Sequence, residues 1–246
     1  MISEKLFRRV DRVAREERVR TAILLTRDVI DYFVDVARVT DRVEMGGFVL
    51  GKVWKGYATV LAFYDYVQVR NVSSTPEKAF LPDEESKEEV YRMIIEGRYD
   101  VFAEMHTHPD ESGFSAADLL SCRQFSEKTG KSLLMKLKKF RELGIKELAF
   151  PDFLVSDGKR PLLQAYTYKV PFVFVGIADR RLFYVRSRLL SRTDKAYFKF
   201  LTEDALRLAD KFEVLVTLDY IMDTISHCYY VVIRIEDLEK FLSDLA

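Results

Sequence analysis

The sequence predicts a mixed α/β (α+β) fold. Of its 246 residues, 48% are hydrophobic, which is enough for a packed core. Short runs rich in β-branched and aromatic residues alternate with segments whose apolar residues recur at helical spacing. Several of those helical segments link two strands, so strands and helices share one architecture. The length suits one large domain, or one domain with a small companion.

Residues 1–20 read as a charged helix with Leu6, Val10 and Val13 as its apolar stripe, exposed and docked by one face. TAILLT (21–26) is a buried strand, and 27–39 a helix with Val29, Ile30, Phe33, Val34 and Ala37 on one side. EMGGFVLGKVW (44–54) is a strand opening with two glycines, and YATVLAFYDYVQV (57–69) its neighbour. Residues 71–86 form a polar loop with two prolines. A helix follows, ending near Gly97, and then YDVFAEMHTHP (99–109), a strand run into a proline stop. SAADLLSCRQFSEK (115–128) starts another helix.

Residues 128–147 are rich in lysine and carry Leu133, Leu134, Leu137 and Phe140 at the spacing of an amphipathic helix. Residues 151–170 give two strands around a turn. Beyond Pro171 the sequence predicts a hairpin (172–185), a helix through about Lys211, two strands (213–221 and 228–235) and a last helix (236–246).

Lys plus Arg and Asp plus Glu number 39 each. That balance gives no overall attraction to nucleic acid or acidic membrane, and neither is an expected partner. No run approaches the length of a membrane span, and residues 1–20 lack the apolar stretch of a signal peptide. Cys122 and Cys228 fit no paired spacing, which excludes a disulfide framework and a four-cysteine metal site. The expected location is a reducing cytoplasm. Oligomeric state is not legible.

The chemistry concentrates in His106-Thr107-His108-Pro109, followed after a short loop by Ser115-Ala116-Ala117-Asp118. Residues two apart on a strand share a face, so the two imidazoles can aim at one point. Pro109 turns the chain and Ser115 opens a helix, which places Asp118 in its first turn. Two histidines and an aspartate make the ligand count of a catalytic zinc, whose fourth position takes water. Ser115 and Asp118 also fit a plain helix cap, and one arrangement can serve both ends.

This run resembles the JAMM motif of MPN-plus metalloproteases: an upstream glutamate, His-Ser/Thr-His-Pro, a spacer and Ser-x-x-Asp. Glu44, in Glu44-Met45-Gly46-Gly47, is similar to the family's glutamate strand. The resemblance implies one zinc per chain held by His106, His108 and Asp118, with Glu44 as the base for the zinc-bound water. It implies that Ser115 stabilises the tetrahedral intermediate. The spacer, Pro109 to Phe114, is one residue shorter than is usual in the family.

The resemblance covers residues 21–170, with 121–148 as an insertion, and implies an MPN-type central mixed sheet flanked by helices. Residues 171–246 are an additional α+β region. The substrate it implies is a protein: a ubiquitin-like modifier, or its conjugate, cut at an (iso)peptide bond after the modifier's C-terminus. The alternatives are a non-catalytic MPN scaffold and a hydrolase of another amide, such as a sulfur-carrier protein. Glu104 shares the strand face of the histidines and is either an orienting partner or a solvated acid. His227 and Cys228 are adjacent on a strand, which points them apart. Gly130-Lys131-Ser132 lacks the earlier glycine of a phosphate loop, since that position is Phe125.

Overall fold

The computed structural model describes residues 2–39, 42–109, 115–156, 161–178, 181–189 and 227–243. The expected helix through Lys211 and the strand at 213–221 lie outside them. The fold is mixed α+β, as the sequence predicts. Its helices are α1 (Glu4–Glu16), α2 (Arg27–Val39), α3 (Glu84–Ile95), α4 (Ala116–Gln124), α5 (Lys131–Lys136), α6 (Lys138–Glu142) and α7 (Ile235–Ser243). Its strands are β1 (Thr21–Leu25), β2 (Gly46–Lys55), β3 (Thr59–Val69), β4 (Val101–His108), β5 (Pro151–Ser156), β6 (Leu162–Tyr168), β7 (Val173–Ala178), β8 (Arg181–Arg186), β9 (Arg188–Leu189) and β10 (Cys228–Arg234).

All ten described strands join one sheet in the order β8-β7-β1-β3-β2-β4-β5-β6-β10-β9. The β1–β3, β1–β7 and β4–β5 pairs are parallel, and the other neighbours are antiparallel. Strands from beyond residue 170 thus extend the sheet at both ends: β7 pairs with β1, and β10 with β6. A bulge at Tyr64 shifts the β2–β3 register between Leu50 and Gly51.

The alternation of the strands sorts the core. Val49, Val53, Ala103, Met105, Phe153 and Val155 meet α2 and α7 on one face. Phe33 of α2 and Phe153 lie with ring centroids 5.4 Å apart. The opposite face carries Ala22, Leu24, Val60 and Ala62 under α1. Further along that face, Phe48, Leu50 and Phe102 lie under Val90 and Ile94 of α3. Leu119 and Cys122 of α4 pack on Leu154 and Tyr166. His106 and His108 project from this second face.

The lysine-rich stretch differs from the single helix expected over 128–147. Phe125–Gly130 is a π-helical turn, α5 and α6 are short, and Leu137 between them is extended (φ −77°, ψ 117°). The break has a packing cause. Straight continuation would carry Phe140 away from the core, whereas the bend leaves it 1% exposed in the α2-side cluster. Gly144, at φ +63°, ends the segment in a conformation that costs glycine little. No helix among the described residues is long and apolar enough to cross a membrane.

Candidate metal centre

Glu44 precedes the first residue of β2, and His106 and His108 close β4. Gly46 and His106 are register partners, so β2–β4 pairing brings the glutamate to the histidines. Thr107, fully buried on the other face, fixes the join. Its hydroxyl accepts from the Met45 N–H at 2.9 Å, and its own N–H donates to the Met45 carbonyl at 2.8 Å. Gly46 is demanded by space. A Cβ there would lie 2.4 Å from the Met105 carbonyl oxygen and 2.6 Å from Phe80 Cζ. Phe80 reaches in from the 70–83 loop, its ring within 2° of parallel to that of His106 at 6.2 Å.

Asn71 holds that loop. Its carboxamide donates to the carbonyls of Glu44 and Ala79, each at 2.9 Å. Its oxygen accepts from Ser73 N at 3.0 Å and Leu81 N at 3.1 Å. The Glu44 N–H donates in turn to the Pro76 carbonyl at 2.7 Å.

On the other side, α4 delivers Asp118. Ser115 is its N-cap: the hydroxyl accepts from Asp118 N at 3.2 Å, and the Asp118 carboxylate accepts from Ser115 N at 2.6 Å. This reciprocal capping box fixes the carboxylate at the sheet. Asp118 Oδ1 lies 3.4 Å from His106 Nε2, and Oδ2 lies 3.4 Å from His108 Nε2. Glu44 Oε1 stands 3.9 Å from His108 Nε2. The structure thus brings Glu44, His106, His108, Ser115 and Asp118 to one place.

Glu44, His106 and His108 are buried, and their ligand atoms lie within 4.8 Å of one another, a group able to hold a metal ion. The electrostatics favour a cation. Burial works against charge on His106, yet Asp118, with Asp152 and Glu104, pushes its pKa up to about 10. Burial also opposes ionised Asp118, but His106 and His108 hold it well below the usual carboxylate range. Both ring nitrogens of His106 are buried, and neither makes a well-formed hydrogen bond among the described residues. Buried imidazole nitrogens left without such bonds are the condition that metal ligation would relieve.

Glu104 lines a neighbouring cavity and, among the described residues, makes no hydrogen bond to a histidine or to any other group. Burial pushes its carboxyl up; His106 opposes this and Asp118 adds to it. Asp152, its register partner on β5, is raised to about 8 by burial and by Glu104. Tyr166 Oη lies 2.8 Å from the Asp118 carbonyl oxygen and 2.9 Å from Asp152 Oδ2. The Tyr166 hydroxyl is the donor towards both oxygens, and its bond to Asp152 works against the rise by favouring the ionised carboxylate. His227 is exposed in the turn before β10, outside the strand expected for it, and Cys228, the first residue of β10, is buried.

Sequence reasoning missed Asn71, Phe80, Thr107, Asp152 and Tyr166. Thr107 carried a signal, as the buried polar residue between two site histidines; the others act through contacts that no local pattern encodes.

No family model matches the chain, and no curated protein matches its sequence. Among solved structures, the solution structure of protein DSY2949 from Desulfitobacterium hafniense is similar at 13% identity and a TM-score of 0.39. The match covers 66% of this chain and 89% of that one. A likeness at that level does not bear on function.

Proposed function

We propose that this protein is a zinc metallopeptidase that hydrolyses peptide or isopeptide bonds at the C-terminus of ubiquitin-like modifier proteins. The observation that carries the metal is the Asp118 carboxylate, 3.4 Å from both imidazole Nε2 atoms. Two ligands each roughly 2.0–2.2 Å from a tetrahedral ion lie about 3.4 Å apart, which is the separation of each imidazole from the Asp118 oxygen nearest it. His106, His108 and Asp118 are its ligands. Zinc held there supplies Lewis acidity, activating water and polarising a carbonyl.

The remaining chemistry belongs to the chain. Glu44, at 3.9 Å from His108 Nε2, takes the proton of the attacking water. The water oxygen bonds to the carbonyl carbon, the C–N bond breaks, and Glu44 passes its proton to the leaving amine. The Ser115 hydroxyl accepts from Asp118 N and keeps its own hydrogen to donate to the carbonyl oxygen as charge develops. The modifier as substrate rests on the motif's resemblance to the JAMM family. The buried free thiols Cys122 and Cys228 support a reducing, cytoplasmic setting.

The test is cleavage of a ubiquitin-like modifier extended at its C-terminus, read by mass spectrometry on the zinc-loaded chain. Glu44→Gln should keep its zinc and lose about 10²-fold or more in rate. Equal cleavage by parent and variant would remove Glu44 from the reaction. Loss of zinc in the variant would make Glu44 a ligand instead of the base.

A further inference from the structure

Two residues back along β4 from His106, on the same face, a cavity of about 250 Å³ opens beside the metal centre. Its walls are aromatic: Phe48 of β2, Phe102 of β4, Tyr91 of α3, Phe125 of the π-helical turn, and Phe150. They brace one another. Phe102 meets Phe48, Tyr91 and Phe125 edge-on, with ring centroids 5.8, 5.5 and 5.6 Å apart, and Phe125 meets Phe150 at 5.2 Å. Such rings present negative faces to a cation.

The charged lining is Glu104, Asp152 and Lys87. Two of these are already engaged. Asp152 bonds to Tyr166 Oη and to the Phe153 N–H, and Lys87 Nζ is paired with Glu84 at 2.7 Å. Glu104 has no hydrogen-bond or ion-pair partner among the described residues. Glu104 is half-buried, with the charges of His106 and Lys87 acting on it through space, and a ligand that brings a donor supplies its carboxylate with a charge-assisted hydrogen bond. A mostly apolar pocket with few convergent polar groups is the usual form of a ligand site.

We propose that this cavity recognises an organic cation, a primary ammonium or guanidinium on an apolar stem, with Glu104 as counter-charge. The source of that cation rests on the peptidase reading above: it is a lysine or arginine side chain flanking the cleaved bond. Glu104 and His106 are two strand residues apart, about 7 Å. That is the offset between a scissile carbonyl and a side chain one or two residues away on an extended peptide. Glu104 is thereby a specificity-determining residue that does not touch the reacting atoms.

The test titrates the zinc-loaded full chain with butylammonium, a lysine side-chain mimic, and with neutral 1-butanol, by ¹H–¹⁵N spectroscopy. Saturable shifts at the Ala103, Glu104 and Cys122 amides are expected with butylammonium. E104Q should weaken its binding at least tenfold, and S121W, which plugs the mouth from an exposed position, should abolish it. Equal binding of 1-butanol, or butylammonium binding unmoved by both variants, overturns the assignment. Thermal melting checks folding, and if E104Q does not fold, S121W decides alone. Zinc content is measured on the same samples. A chain that binds butylammonium but no zinc supports the cavity and sinks the peptidase reading.

Discussion

The side-chain amide of Asn71 donates to the main-chain carbonyl of Glu44 at 2.9 Å, tying the segment that leads into β2 to the loop that lays Phe80 beside His106. One side chain thus sets both the glutamate and a wall of the histidine. Asn71→Ala removes this bond and three others within the loop. Two of these bonds are part-buried and two exposed, and their loss at about 0.5–1.5 kcal/mol for a typical net bond should appear as a lower Tm. Asn71→Asp, which keeps the acceptor for Ser73 N and Leu81 N, should recover part of the stability. Equal losses in the two variants would mean that the acceptor half is idle.

Gly46→Ala should be worse than its size suggests. The added methyl meets a backbone carbonyl oxygen at 2.4 Å, which cannot swing away, and Phe80 at 2.6 Å. Overpacking of this kind costs about 1–3 kcal/mol, and here it pushes β2 from β4 where Glu44 meets His106. Denaturant unfolding and zinc affinity should fall together. A stable Gly46→Ala chain with parental zinc affinity would contradict the register argument.

The sheet elements and the helices before residue 128 follow from periodicity, because each buries one face and its apolar spacing records which. The site was legible where it is local. Alternation puts His106 and His108 on one face, and the Ser115–Asp118 spacing writes the capping box. The register placing Gly46 opposite His106 is a long-range choice that the sequence records only through glycines with no space for a Cβ. Asn71, Phe80 and Tyr166 reach the site from segments whose own patterns are ordinary. Residues 128–147 misled because helix propensity there is real, and tertiary packing of Phe140 overrode it.

Asp152 should write itself into the pH dependence of the zinc-free chain. Its carboxyl titrates near 3.8 when unfolded and at about 8 when folded. The folded state therefore holds the extra proton between these values. Stability falls as pH rises through that window, with a slope of up to about 1.4 kcal/mol per pH unit. Asp152→Asn should flatten the fall. His106, raised to about 10 from 6.5, is stabilising below its unfolded value and loses that contribution as pH rises towards 10. Urea unfolding from pH 4 to 10 separates the two. Identical slopes in parent and Asp152→Asn would refute the shift.

Ser115→Ala removes the N-cap of the helix that presents Asp118. The cap alone is worth about 1 kcal/mol, and the loss should be visible without metal. Ser115→Asp restores a cap acceptor but supplies no hydroxyl hydrogen. If the hydroxyl also serves the reaction, Ser115→Asp should regain stability while its rate of modifier cleavage stays low. Recovery of both would leave Ser115 a cap and nothing more.

The most direct test of the account is metal content per chain by mass spectrometry of the purified protein, beside His106→Ala/His108→Ala. The account predicts about one zinc per parent chain and little in the variant, with the variant still folded. A folded parent that takes up no zinc when offered it, or a variant that binds as much as the parent, would contradict it.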